Sequence, residues 1–364
     1  MKVAIVADFL TKLGGAERVV DTLLEMFPDA DIFTLLYDEQ NVGRIFPRSK
    51  IKESSLDRWP AFLRMRYKYF FPMMPSLVER LDLTGYDLVI SSSSAYAHGV
   101  ITDLDTKHIV YCHSPMRYAW DYTHHYLQEQ DLNFITRAIA GYFLKKIREW
   151  DFVAAQRADL FIANSKHVQR RIEKYYRRES EVVYPPVDIE RFSVHKTHED
   201  YFLIISTLTP YKKIDLAVRL FNKIRRKLVI IGDGSARASL EAIAGDTIDF
   251  LGTRTDQETV EYMQNCRAFI FPGEEDFGIA PVEAMACGKP VLAFKRGGLL
   301  ESMIEGKTGE FFTEQTVESM EDALGRLQLN EKFYKPGEIR AQAEEFSKEK
   351  FMHHMKRIIA RITK

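Results

Sequence analysis

Short apolar runs alternate with segments of helical period along most of the chain. Lys2–Ala7 reads as a first strand that ends at Asp8, and Gly14-Gly15 then opens a helix running from Ala16 to Met26. Ala30–Leu36, Tyr86–Ile90, His108–Cys112 and Asp159–Ala163 continue as strands of the same style. Strands alternating with helices predict a parallel sheet covered on both faces. The pattern breaks at Val182–Asp188, where Pro185 and Pro186 oppose both helix and central strand, so a linker is expected there. A second series follows, with strands at Phe202–Ile205, Lys227–Ile231, Thr247–Leu251, Ala268–Phe271 and Val291–Phe294. Helical patterns such as Leu216–Ile224 and Thr259–Gln264 lie between them, and the charged stretch Gly337–Lys364 reads as helix. The expected division is an α/β domain over 1–186, a second over 187–340, and a C-terminal helical segment over 341–364.

Composition narrows the class. A chain of 364 residues suggests about two domains, and 46% hydrophobic with 28% charged residues suits a large core under a soluble surface. The formal net charge of -1 gives no global field that would favour nucleic acid. Cys112, Cys266 and Cys287 are odd in number, lie in or beside apolar segments and lack metal-ligand spacing, which fits a reducing, cytoplasmic compartment. The run Val3–Ala7 is too short for a secretory signal, and no stretch reaches the length of a membrane span, so bilayer contact is expected only from the surface.

The chemistry concentrates in the run from Pro272 to Val291. Glu275 and Glu283 are separated by seven residues, the first after an apolar strand and the second in the helix-like Ala280–Cys287. Open α/β sheets build ligand sites from a strand, a loop and a helix start in this way. The loop offers amides to a diphosphate, and carboxylates can accept bonds from neighbouring sugar hydroxyls. A nucleotide sugar satisfies both, while a buried strand–loop–helix with two solvated acids is the plainer alternative.

This run, with Phe277, Gly278, Ile279 and the following Gly288-Lys289-Pro290-Val291, resembles the signature of the retaining glycosyltransferases of family four. The resemblance implies the GT-B fold, two Rossmann-like domains with a central cleft, and a last helix that crosses back to the first domain. It implies that Glu275 holds hydroxyls of the donor sugar, that Glu283 holds the ribose, and that the amides of Phe277, Gly278 and Ile279 face sugar and diphosphate. Gly14-Gly15 with Ala16-Glu17-Arg18 is similar to the family's first glycine motif, although a Gly-Gly turn alone is also an ordinary tight turn. His113-Ser114-Pro115 resembles the element whose histidine lies beside the donor sugar, and Arg117, Trp120 and Asp121 would suit a saccharide surface on the acceptor side. The implied catalytic set is Lys212, Glu275 and His113.

The segment Ser206–Asp215 both matches and departs from the pattern. Lys212 matches the lysine that holds the diphosphate, but Thr207 stands where the family carries arginine. Losing one charge-assisted hydrogen bond costs about 1.5–3 kcal/mol, so Lys213 or Arg254 would have to compensate or the protein would be slow. Gly232-Asp233-Gly234, Gly252-Thr253-Arg254 and Arg296-Gly297-Gly298 with Glu301 resemble further turns around the nucleotide. Asp103-Leu104-Asp105 imitates a metal-binding motif but precedes a strand instead of ending one, so neither a metal nor another cofactor is expected. Arg58–Met74 and Phe143–Trp150 mix cations with aromatic residues; such stretches suit an anionic membrane surface or amphipathic helices packed on the first domain.

The expected activity is transfer of a hexose from a nucleotide diphosphate sugar to a saccharide or lipid-linked saccharide. Leu208–Asp215 looks most like mannosyl-type members that use GDP-mannose. A GT-B epimerase or hydrolase, or a slow or non-catalytic nucleotide-sugar-binding subunit, is the alternative.

Overall fold

Two parallel sheets organise the chain, each inside its own compact unit, in a computed structural model that describes residues 1–54, 56, 60, 67–123, 127, 133–195 and 197–363. The first unit comprises Met1–Tyr184 with Phe351–Lys364, and the second Pro185–Lys350.

In the first unit the strands are β1 (Val3–Ala7), β2 (Asp31–Thr34), β3 (Ile51–Ser54), β4 (Leu88–Ser93), β5 (Lys107–Cys112), β6 (Leu160–Ala163) and β7 (Ser180–Val182). They lie in the order β3-β2-β1-β4-β5-β6-β7. In the second they are β8 (Phe202–Ile205), β9 (Leu228–Ile231), β10 (Ile248–Gly252), β11 (Ala268–Phe271), β12 (Val291–Phe294) and β13 (Gly309–Phe312), in the order β10-β9-β8-β11-β12-β13. The longer helices are α1 (Gly15–Met26), α2 (Phe134–Ala154), α3 (Lys166–Tyr176), α4 (Ile214–Ile224), α5 (Asp256–Asn265), α6 (Ile279–Ala286), α7 (Val317–Leu329), α8 (Pro336–Glu344) and α9 (Lys348–Ile362).

Inner strands such as β1, β8, β9, β11 and β12 read as unbroken apolar runs because both faces of each sheet are covered there. Alternate residues of β1 serve separate cores. Val3, Ile5 and Ala7 join Val20, Leu23 and Ile90 on one face, and Ala4 and Val6 join Phe33, Leu77 and Val89 on the other. Phe351, Met355, Ile358 and Ile359 of α9 enter the first of these cores, at the spacing of one helical face.

The stretch expected as one C-terminal helix is two. Between α8 and α9 the backbone pairs with Val187, whose N–H donates to the Phe346 carbonyl at 3.0 Å and whose carbonyl accepts from Lys348 at 3.1 Å. Peptide groups used for that bridge cannot continue a helical ladder. β3, β7 and β13, which the sequence pattern does not announce, all lie at sheet edges.

Each sheet reverses its winding once, between β1 and β4 in the first unit and between β8 and β11 in the second. Loops leaving neighbouring strands diverge at such a point, and open α/β sheets hold ligands in the crevice so formed.

Candidate functional site

In the second unit the loops after β8 and β11 meet at the switch point. After β8 the chain makes a short helical turn, Pro210–Lys212, and Lys213 takes a left-handed conformation (φ 54°) to start α4. Lys212 Nζ pairs with Glu275 Oε1 of the loop after β11. The two side chains are only 15% and 20% exposed. Burial disfavours the Lys212 ammonium, yet the Glu275 carboxylate and Tyr211 outweigh that and hold its pKa above the ordinary lysine range. The ammonium also lies 5.0 Å from the Tyr211 ring centre and 6.0 Å from that of Phe271. A lysine has three donors, so Lys212 can keep one on Glu275 and turn another to an incoming anion.

Glycines seat these loops on their neighbours. Gly297, after β12, has φ 73°, and a side chain there would bring Cβ within 2.1 Å of the Glu275 carbonyl oxygen. Gly298 N–H donates to that same oxygen at 2.9 Å. On the other side, Gly232 (φ 129°) leaves room for Ser206, whose carbonyl oxygen would lie 1.9 Å from a Cβ. The Leu208 N–H donates to Asp233 at 3.0 Å, and its carbonyl accepts from Ala236 at 2.9 Å.

The other residues expected here are placed as follows. Gly278 adopts φ 88° as the residue before α6, and Ile279 opens that helix. Phe277 is 3% exposed with its ring 5.4 Å from Phe346, so its ring is committed to packing. Glu283 lies half-buried one turn into α6. Thr207 and Lys213 are exposed on the β8 loop beside Lys212. Thr253 and Arg254 are exposed after β10, the sheet edge, about 10 Å of sheet away from β8. Arg254 faces Glu258 at 4.0 Å.

In the first unit the loops after β1 and β4 are fastened by an acid. Asp8 accepts N–H bonds from Ser94 (2.6 Å), Ala95 (3.0 Å), Tyr96 (2.7 Å) and Ala97 (2.6 Å). Sequence reading treats Asp8 only as the end of the first strand; an acid directly after an apolar run was the available signal. Gly14 N–H donates to Glu17 Oε2 at 2.9 Å, so the glutamate of the glycine motif folds back to hold the loop, and Gly15 begins α1. Burial raises the pKa of both Asp8 and Glu17. A cavity of about 130 Å³ opens here, lined by Asp8, Leu10, Glu17, Val20, Ser92 and Ala95 among others. His113 reaches its wall, Nε2 lying 2.8 Å from Ser92 Oγ, with the Tyr111 ring edge-on at 5.2 Å.

Arg117 stacks 5.9 Å over Tyr122. Trp120 departs from the expected saccharide surface. Its indole N–H donates to buried Asp151 at 2.7 Å, and Tyr175 stacks on its ring at 5.0 Å. Both its polar handle and one face are thus committed to packing. Beneath lies a buried polar set that sequence reasoning missed, including His98 facing Asp151 at 3.3 Å and His108 Nε2 bonded to Ser91 Oγ at 2.8 Å. Burial pushes the His108 pKa down to about 3. Asp103 lies at the N-terminal end of β5, away from the strand ends that form the crevice, and accepts from Gly85 N–H at 3.3 Å.

Of the two segments expected at a membrane surface or packed as amphipathic helices, Arg58–Met74 has residues 58, 59 and 61–66 outside the described residues, and its Tyr67–Met73 part forms a short helical turn. Phe143–Trp150 belongs to α2, where Leu144 and Ile147 are buried and Trp150 donates to Glu79 at 2.9 Å, so one face of this part is packed on the first unit while Phe143, Lys145 and Lys146 stay exposed. Among the described residues no helix is long and apolar enough to cross a membrane.

Comparison with known proteins gives a consistent picture. Residues 13–191 match the family described as Glycosyltransferase Family 4, and residues 187–350 match Glycosyl transferases group 1. An uncharacterized glycosyltransferase of Methanocaldococcus jannaschii is 24% identical over 96% of this chain and 93% of its own. The alpha-1,3/1,6-mannosyltransferase of Saccharomyces cerevisiae is 24% identical over 82% of this chain and 70% of its own. The crystal structure of Anabaena HepE in complex with UDP-glucose superimposes with a TM-score of 0.72 at 17% identity, covering 99% of this chain and 100% of that one. With two parallel-sheet Rossmann-like units and this likeness, the fold class is GT-B.

Proposed function

Since the chain belongs to glycosyltransferase family four and is a glycosyltransferase, we propose that it moves mannose from a nucleotide diphosphate donor to a saccharide or lipid-linked saccharide, with retention at the anomeric carbon. The observation that carries this reading is the Lys212–Glu275 pair at the switch point of the second sheet. As the glycosyl–phosphate bond lengthens, negative charge grows on the departing diphosphate. Lys212 and the amides at Phe277, Gly278 and Ile279 stabilise that charge in place, a preorganised electrostatic contribution. Glu275 orients the sugar hydroxyls, and Glu283 anchors the ribose. The mannose assignment leans on the mannosyltransferase relative and on the wording of Leu208–Asp215. The nucleotide sugar is a substrate, and the reading requires no metal or cofactor. Three buried thiols accord with a reducing, cytoplasmic setting.

The test is a donor panel. GDP-mannose at a hundredfold excess over its Kd should stabilise the fold by about 2.7 kcal/mol, seen as a raised Tm, whereas the UDP, ADP and dTDP sugars should do less. Mannose should then appear in an acceptor with retained configuration. Lys212→Ala should lower donor affinity and turnover tenfold or more, the effect of one lost charge-assisted bond. An unchanged Lys212→Ala enzyme would refute the diphosphate assignment. Thr207 in the expected arginine position favours one second reading, a slow or non-catalytic subunit. Tight donor binding without transfer to any acceptor would establish it, and hydrolysis without acceptor would point to a hydrolase.

A further inference from the structure

The first ten residues of α2 contain none that is buried, yet they are strongly apolar. Phe134 is 81% exposed, Ile135 58%, Ile139 52%, Tyr142 58% and Phe143 37%. At about 100° per residue these five fall on one half of the helix circumference. Leu144, Ile147, Asp151 and Ala154, the residues that α2 buries against the body, fall on the other half. The apolar arc therefore faces outward, opposite the packed face. It continues at Phe143 into the turn Tyr67–Met73, where Phe71 meets the Phe143 ring edge-on at 6.4 Å and Met73 is 47% exposed.

Charge decides what could cover this arc. No acid occurs from Asn133 to Arg148, while Arg137, Lys145 and Lys146 are all exposed. Lys145 and Lys146 follow the apolar residues by one turn on the same outward side, and Glu149 lies beside them, 3.9 and 2.9 Å from their ammonium groups. A bulky apolar arc bordered by cations with long flexible stems suits the boundary between lipid headgroups and acyl chains. A dry protein interface would have to desolvate the lysines.

We propose that residues 134–146 form a membrane-docking element. Phe134, Ile135, Ile139 and Tyr142 enter the interfacial region of an anionic bilayer, and Lys145 and Lys146 meet its headgroups. The docking reading is independent of the donor chemistry, since it involves neither sugar nor nucleotide.

Vesicle flotation of the full chain tests it, with phosphatidylcholine vesicles in one arm and phosphatidylcholine mixed with phosphatidylglycerol in the other. The wild-type protein should float with the mixed vesicles and much less with phosphatidylcholine alone. The triple variant Ile135→Ser/Ile139→Ser/Tyr142→Ser should lose flotation about tenfold or more at an unchanged Tm, because the altered side chains face solvent. Lys145→Gln/Lys146→Gln should lose most of the preference for the anionic vesicles and become less sensitive to salt. Should the triple variant fold poorly, single Ile135→Ser and the lysine variant carry the test. Absence of flotation by the wild type, or equal flotation by the variants, would overturn the proposal. So would a wild-type dimer by light scattering that the triple variant abolishes, which would make a second copy of the chain the occupant.

Discussion

Lys212 and Glu275 are 63 positions apart, and each alone is an ordinary half-buried charged residue. Their pairing gives the second unit a cation held ready at a crevice. His108 shows the opposite use of burial. It sits in β5 with its folded pKa pushed to about 3, against an ordinary 6.5. Below about pH 6.5 the unfolded chain binds a proton that the folded one refuses, so this residue lowers stability as pH falls, until the folded pKa is reached. Between pH 6.5 and 5 the loss should be about 2 kcal/mol. Urea denaturation over that range should show the slope, and His108→Gln should flatten it; an identical slope in both proteins would exclude His108 as its source. Glu275 and Lys212 were legible as chemistry in the sequence because they stand in a dense motif. Asp8, His98 and His108 were not, since the N–H groups and side chains that engage them come from distant segments.

At the scale of elements, the candidate site is built from loops that leave the C-terminal ends of strands and brace one another. Gly297 is the clearest case, because its left-handed backbone and the nearby Glu275 carbonyl both exclude a side chain. Gly297→Ala should cost about 1–3 kcal/mol of stability from backbone strain alone. It should also weaken donor binding by displacing the Glu275 loop. Denaturation and donor titration on the same preparation check both, and wild-type donor affinity in a destabilised variant would separate the glycine from the site. The strand–loop–helix around Glu275 was readable because an apolar run, an acidic loop and a small-residue helix follow in order. The packing of Trp120 is not legible for the converse reason. An aromatic beside Arg117 and Asp121 looks like a saccharide platform, and only the packing of Tyr175 and Asp151 shows its indole engaged.

At the scale of the whole molecule, the chain returns to its first unit at the end. Phe351 is 2% exposed in the core that holds β1 and α1. Phe351→Ala should destabilise that unit by about 3–5 kcal/mol. Trp59, Trp120 and Trp150 all precede Tyr184, so tryptophan fluorescence follows the first unit selectively. The fluorescence midpoint in urea should fall; a midpoint equal to wild type would mean that α9 contributes little to this core.

Periodicity and turn residues are local, and by themselves they determined two α/β series, a break near the paired prolines, and an acidic loop at a helix start. Strand order, the two winding reversals, the edge strands, the bridge at Val187 and the meeting of Lys212 with Glu275 depend on which distant segments share a sheet or a core. Those outcomes are decided by long-range burial and backbone pairing, which exist only once the chain has folded.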